Sequence, residues 1–318
     1  MKRPLLLPLV PLYAAGAALR TLGLRMGLEP VRRLARPVIS VGNLSAGGAG
    51  KTPFTIALAR ILTAQGCAVD ILSRGYGRSA KDAAPVNPFG SFQDFGDEPL
   101  LIARETGLPV YVASQRWQAG RLAESTAPYP GIHLLDDGFQ HRQLHRDLDI
   151  VLINSEDLAD SLLPAGNLRE PLSTLSRANI LAIPEDDEPA AARLAPFGKP
   201  IWRFRREITV PAIHGPAVAF CGIARPAQFF LGLEAAGVEV AEQRIFPDHH
   251  TFSAADVALL RHLVLKSGAS ALVTTAKDRV RLAALEPELA QIAPIVTAAL
   301  RIVFSDPAAV AQLSPAMS

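Results

Sequence analysis

Lys51 and Thr52 end the run Ser45-Ala46-Gly47-Gly48-Ala49-Gly50-Lys51-Thr52. A phosphate-binding loop asks for Gly, four residues, then Gly-Lys-Ser/Thr. Ser45 stands where the first Gly belongs, and an ordinary turn conformation suits it if the chain enters the loop less sharply. Gly47, Gly48 and Gly50 let backbone N–H groups turn inward around phosphate oxygens at a helix N-terminus. Lys51 would reach the β- and γ-phosphates and the Thr52 hydroxyl would ligate Mg²⁺. The competing reading is a Gly-rich strand-to-helix turn that holds nothing. Ala46 occupies the position where deviant P-loop ATPases carry a signature Lys, which argues against a partition-type ATPase.

A second element fits the first. In "GIHLLDDGFQH" an apolar run ends in Asp136-Asp137. Carboxylates at the end of a parallel strand beside a phosphate loop can hold Mg²⁺ and its waters. An Asp-Asp-Gly turn is the structural alternative.

The elements needed to position these residues are visible around them. The segments "PVISV", "AVDILS", "PVYVAS", "GIHLLDD", "LDIVLIN" and "NILAIP" read as strands, with helices at Pro53–Gln65 and Gln115–Ser125 between some of them. Near-continuous apolar strands alternating with helices indicate an α/β fold, a parallel sheet covered by helices on both faces. Beyond "IWRFRREITV" a second, smaller α/β lobe begins, with "AVAFCGI", "VEVAEQRIF" and "ALVTTAKD" as strands and helices at Pro226–Ala236 and Ala254–Lys266. "IVTAALRIVF" is strand-like and can return beside Ile201–Val210, giving a two-strand linker. The expected divisions are an N-terminal helix (1–30), a P-loop core (31–205), a smaller lobe with linker strands (206–300) and a returning C-terminal segment (301–318). A cleft between lobes is a common ligand site.

With 318 residues, 49% of them hydrophobic, the chain can bury one large core or one large and one small. A net charge of +2 gives no electrostatic case for nucleic-acid binding. Cys67 and Cys221 are far apart and outside any CxxC pair, which suits a reducing compartment. The N-terminus is the compositional outlier, uncharged from Pro4 to Leu19 after Lys2 and Arg3. Pro8 and Pro11 interrupt this run and speak against a spanning helix, while "YAAGAA" keeps a signal peptide as a rival. A helix from Leu12 onward places Leu12, Ala15, Leu19, Leu22 and Met26 on one side and Arg20, Thr21 and Arg25 elsewhere. Such a helix can lie in a membrane interface or pack on the protein's own core.

Taken together, "VGNLSAGGAGKTP", "LSRGYGR", "GDEP", "DDGFQHRQLHRDLDIVLIN", "GNLREPLS", "FCGIARPAQFF", "FPDHHTF" and "TTAKD" resemble, in order, the tetraacyldisaccharide 4'-kinase (lipid A 4'-kinase) family, from about Val38 to Asp278. A hydroxyl residue at the Ser45 position is usual for that family. The resemblance implies Mg²⁺-dependent transfer of the ATP γ-phosphate to the 4'-hydroxyl of a tetraacylated glucosamine disaccharide 1-phosphate, giving lipid IVA. It also implies a protein lying on the cytoplasmic face of the inner membrane, with its N-terminal helix near the acyl chains; a monomer is the expected state.

The resemblance also assigns roles. Asp97 of "GDEP" resembles the family's catalytic aspartate, which would accept the sugar proton; helix capping is its alternative duty. His249 of "PDHH" resembles the histidine that pairs with it, with His250 as the other candidate. Because Asp97 and His249 fall in different lobes, their cooperation asks for lobe closure. Arg169 of "GNLREPL" is the candidate cation for the transferring phosphate or the 1-phosphate. Arg74, Arg78 and Lys277-Asp278 stay without a role. Two other functions compete: a P-loop kinase of a soluble metabolite, and a membrane-associated nucleotide-dependent switch.

Overall fold

The computed structural model describes residues 3–48, 50–127 and 130–313. Its centre is one twelve-stranded, mostly parallel sheet in the order β10-β9-β11-β12-β8-β7-β6-β1-β5-β2-β4-β3. In chain order the strands are β1 (Val38–Asn43), β2 (Val69–Ser73), β3 (Ala84–Pro85), β4 (Val110–Val112), β5 (Ile132–Asp136) and β6 (Leu148–Leu152). They continue as β7 (Ile180–Pro184), β8 (Ile201–Thr209), β9 (Ala217–Cys221), β10 (Val240–Ile245), β11 (Ala271–Thr275) and β12 (Ile295–Phe304). The two-residue β3, with Pro85 in it, is an edge strand that carries no apolar run for sequence reading to find.

Every residue of β1, β2 and β5 is buried, as expected of parallel strands with both faces covered. β1 lies between β5 and β6, so the chain reverses its order of winding there and opens a crevice at the strands' carboxyl ends. In the register Val41 stands opposite Asp136. The phosphate-loop strand and the Asp-Asp strand therefore deliver their ends side by side.

The seam between the two halves is antiparallel. Ala299 to Phe304 of β12 pair with Thr209 to Phe204 of β8, whereas Ile295 to Ala298 pair in parallel with β11. One strand thus belongs to the smaller sheet in its first half and to the main sheet in its second. Helix α2 (Lys51–Ala64) packs over this seam: Phe54 is fully buried, with its ring edge-on to Phe204 at 5.5 Å and Phe304 at 4.9 Å. Val310 and Leu313 join the same core. A separate apolar core beneath Phe220, Phe246 and Phe252 fills the smaller half.

The N-terminal helix corrects one expectation. It starts at Pro4 instead of Leu12, as a 3₁₀ segment (Pro4–Leu9) running into α1 (Val10–Arg25). The prolines do not break it. Pro4 opens the 3₁₀ segment and Pro11 lies in the first turn of α1, where no intrahelical N–H bond is lost. The helical stretch Pro4–Leu24, 21 residues of mean hydropathy 1.5, is long and apolar enough to cross a membrane. Leu5, Leu9, Leu12, Leu19, Leu22 and Met26 face outward, while Leu24 is buried against the body. Tyr13 Oη donates to the Arg169 carbonyl at 3.0 Å and Arg142 Nη1 donates to Thr21 Oγ1 at 3.1 Å. The greasy face is thereby fixed beside the crevice.

Candidate active site

β1 ends at Asn43 and the loop that follows enters α2 through Gly50, whose φ of 82° is left-handed. Gly47 has φ 107°. At both positions a side chain would be strained, so glycine is what the inward-turned loop requires. Ala49 lies outside the described residues. Ala46 N–H donates to the Asn167 carbonyl at 2.8 Å, and Gly48 completes the described part of the loop.

Ser45 replaces glycine for a reason the structure makes plain. It is buried, its hydroxyl accepts from Asn43 Nδ2 at 3.0 Å, and it lies beside the buried Asp157 carboxylate. The side chain that breaks the generic pattern ties the loop's entry to the segment after β6.

Lys51 Nζ donates to Asn43 Oδ1 at 3.0 Å and stands 3.5 Å from Asp137 Oδ1. Arg169 reaches the same two residues, with Nη2 at 2.5 Å from Asn43 Oδ1 and 3.0 Å from Asp137 Oδ1. Asp137 has a φ of 51°, unusual for a non-glycine residue, which turns its carboxylate toward both cations. Burial works against its ionisation, but Lys51 and Arg169 outweigh it and hold the group far below the usual carboxylate range. Asp136 behaves oppositely. Burial, then the Glu98 and Asp137 charges, push its carboxyl up to about 7, against Lys51 and a 3.0 Å hydrogen bond from Thr55 Oγ1. Two adjacent carboxylates make an oxygen-only donor set, the kind that suits a hard divalent cation. Among the described residues no three acidic, His or Cys side chains converge as a cage. Mg²⁺ does not need one, since it keeps waters and phosphate oxygens and takes one or two carboxylates. Thr52, buried at the start of α2, is the residue whose hydroxyl would complete such a set.

Across the crevice, Asp97 opens the helix Asp97–Thr106 with its side chain 3% exposed. His249 Nδ1 lies 3.0 Å from its Oδ2, and Arg281 Nε lies 3.6 Å from the same oxygen. Burial opposes ionisation of Asp97, but the His249 hydrogen bond and the Lys277 and Arg281 charges prevail and hold its pKa down. The same bond raises the His249 pKa. His249 sits at φ 57°, so the turn after β10 is bent to present it. The structure brings His249 to Asp97; His250 instead stacks on Phe246 and faces Asp256 at 3.0 Å. The two halves already meet here, without further closure.

Other residues join the site that sequence reading did not place there. Glu98 pairs with Lys277, which links the helix after Asp97 to the smaller half, while Asp278 is buried and accepts from Gly222 N–H at 3.0 Å. Arg116 is buried near Asp137 and Asp136, its pKa lowered to about 10 by burial and then by Arg74. His141 is held neutral, down to about 3, by burial and the surrounding Arg116, Arg146, Arg20 and Arg74. Arg78 bonds instead to the Asp82 carbonyl in its own loop. The "TTAKD" run carried a readable cue, since Thr275 caps a helix with Asp278 three residues on; Arg116 and His141 had none, being joined only by the fold.

A sequence profile of the Tetraacyldisaccharide-1-P 4'-kinase family matches residues 2–318. This chain belongs to that family. A tetraacyldisaccharide 4'-kinase of Koribacter versatilis is 43% identical over 295 residues, covering 90% of this chain and 91% of the relative. One from Acidovorax ebreus is 39% identical over 309 residues, covering 93% and 86%. The crystal structure of LpxK from Aquifex aeolicus, in complex with ATP, superimposes with a TM-score of 0.77 at 33% identity and covers 98% of both chains. The kinase-family α/β fold is therefore shared along the whole length, the N-terminal helix included.

Proposed function

We propose that this chain is an ATP-dependent kinase that phosphorylates the 4'-hydroxyl of a tetraacyl glucosamine disaccharide 1-phosphate, forming lipid IVA in lipid A biosynthesis. The observation that carries the reading is the Asp97–His249 pair facing a glycine loop whose Lys51 is already oriented by Asn43 and Asp137. Family membership supports the acceptor, and the ATP in the Aquifex aeolicus complex supports the donor.

In this reading Ser45, Ala46, Gly47, Gly48, Ala49, Gly50, Lys51 and Thr52 cradle the triphosphate. Thr52, Asp136 and Asp137 hold Mg²⁺, which supplies charge neutralisation when bound. Asp97, ionised at neutral pH, accepts the hydroxyl proton, and His249 keeps the carboxylate oriented. Lys51 and Arg169 stabilise charge on the transferring group. Arg116 and Arg74, with Arg20 of the N-terminal helix near His141, offer cations for the 1-phosphate at the mouth nearest the greasy face.

The same reading divides the chain into a membrane-associated helix (1–30), a P-loop core (31–205), a smaller lobe with linker strands (206–300) and a returning segment (301–318), of which 314–318 lie outside the described residues. The β8–β12 seam supports the boundary near residue 300. The outward leucines support a peripheral seat on a membrane surface, with acyl chains and helix in one apolar layer; in this reading the surface is the inner membrane's cytoplasmic face and the chain acts as a monomer. The deciding experiment incubates the purified chain with γ-labelled ATP, Mg²⁺ and acylated disaccharide 1-phosphate. A labelled lipid is expected; label appearing only as inorganic phosphate would favour a nucleotide switch.

A further inference from the structure

Arg225 lies outside every role given so far. It ends the loop Gly222–Arg225 that leaves β9, and that loop spans the space between the Asp97–His249 pair and the glycine loop. At one end the Gly222 carbonyl accepts from His249 N–H at 3.2 Å. At the other, a Cβ placed on Gly48 would lie 3.4 Å from Ala224 Cβ and 3.9 Å from Arg225 Cγ. The terminal phosphate of a nucleotide in the cradle has to occupy the same interval, because it is handed from the glycine loop toward the proton acceptor at Asp97.

The Arg225 guanidinium is poorly served where it stands. Nη1 is 3.7 Å from Glu156 Oε2 and Nη2 is 3.8 Å from Asp157 Oδ1, both beyond hydrogen-bond distance. Among the described residues no hydrogen-bond partner reaches the buried Nη1. Asp157 stands 3.8 Å off beside Ser45, and the Glu156 side chain is 79% exposed. A second cation is close: a Cβ on Gly50 would lie 3.3 Å from Arg206 Nε and Nη2, on the linker strand β8. A buried donor left without an acceptor is costly. Two guanidiniums crowded over a glycine loop have an obvious remedy in an anion.

We propose that Arg225 is a phosphate-binding residue donated by the smaller lobe, which hydrogen-bonds the terminal phosphate of the bound nucleoside triphosphate. It plays in cis the part that an arginine finger plays when a partner supplies it. The proposal rests on the kinase reading for its donor but not for its acceptor. Glu156 and Asp157 hold the side chain near the cradle until the nucleotide arrives, and Arg206 keeps the field at the loop positive.

The test measures ATP and ADP affinity of the full-length chain by calorimetry with Mg²⁺, for the parent, Arg225→Ala and Arg225→Gln. The glutamine variant keeps the stem over Gly48 and is the one read if the alanine variant does not fold. ATP affinity should fall about tenfold or more, as expected for a charge-assisted hydrogen bond, with ADP affinity changing less than about threefold. Equal losses for ATP and ADP, or no loss for either, would overturn the proposal. A failed lipid assay would sink the acceptor assignment and leave this comparison intact.

Discussion

His249 Nδ1 stands 3.0 Å from Asp97 Oδ2, so an imidazole from the smaller half completes the carboxylate that opens a helix of the main half. If Asp97 is the proton acceptor, Asp97→Asn keeps the shape and removes the basicity. Turnover should fall about 10²- to 10⁴-fold, the usual worth of general base catalysis. ATP affinity, measured separately, should stay within about threefold. His249→Ala should cost less, because it disorders the base without deleting it. An Asp97→Asn enzyme that turns over near the parent rate would remove Asp97 from the chemistry.

The same pair predicts a pH-dependent stability. The raised His249 pKa means its contribution is complete below the ordinary histidine value of 6.5 and fades as pH rises through the raised one. The lowered Asp97 pKa means its contribution is present above the ordinary 3.8 and is lost as pH falls through the lowered one. The melting-temperature gap between parent and His249→Gln should therefore be widest between about pH 4 and 6.5 and narrow toward pH 9. A gap that is flat from pH 5 to 9 would show that the bond draws nothing from charge.

Phe54 tests how the cradle is coupled to the linker. Its ring is fully buried against Phe204 of β8 and Phe304 of β12, one helical turn after Lys51. Phe54→Ala should cost about 3–5 kcal/mol in urea unfolding, the usual price of an aromatic removed from a packed core. A cost below about 1 kcal/mol would mean that the seam closes over the cavity without resisting.

Much of this architecture was legible because its signals are local. "PVISV" and "GIHLLDD" are strands whose apolar runs no other element explains, and Gly-Lys-Thr marks where α2 begins, two residues before the Pro53 that the reading chose. The pairing of "IVTAALRIVF" with Ile201–Val210 was also readable, since both segments are long strand-like runs and the first of them in the chain alternates charged with apolar residues. Illegible features depend on contacts between distant residues. Nothing near Arg116, His141, Asp157 or Arg225 announces that they line one crevice. Pro8 and Pro11 spoke against a spanning helix, yet the helical stretch runs through both: Pro11 lies in the opening turn of α1 and Pro8 inside the short 3₁₀ segment before it.

Asp136 and Asp137 should part company on substitution. Either change to Asn should raise the Mg²⁺ concentration for half-maximal activity, by about tenfold if one ligand is lost. Asp136→Asn should also leave the melting temperature of the metal-free protein unchanged or higher. It removes a carboxyl that burial, and then the Glu98 and Asp137 charges, already push up to about 7. Asp137→Asn should lower that temperature, because Lys51 and Arg169 lose their shared partner. Identical Mg²⁺ titrations for parent and both variants would take the metal away from this pair.

Leu5, Leu12, Leu19 and Leu22 lie on the outward side of a helix whose inner side is tied to Arg169 and Arg142. They are 51–93% exposed, so changing all four to Gln should leave the melting temperature within about 1–2 °C of the parent. In a membrane interface each leucine buries part of the roughly 1.5–3 kcal/mol that full burial is worth. Four together account for at least about a hundredfold in vesicle affinity. The quadruple variant should therefore fail to sediment with anionic lipid vesicles and should phosphorylate long-chain acceptor poorly. Its ATP affinity should be unchanged, since none of the four touches the cradle. Equal vesicle binding by parent and variant would mean that the helix serves the protein's own body, and that the acceptor reaches Asp97 by another route.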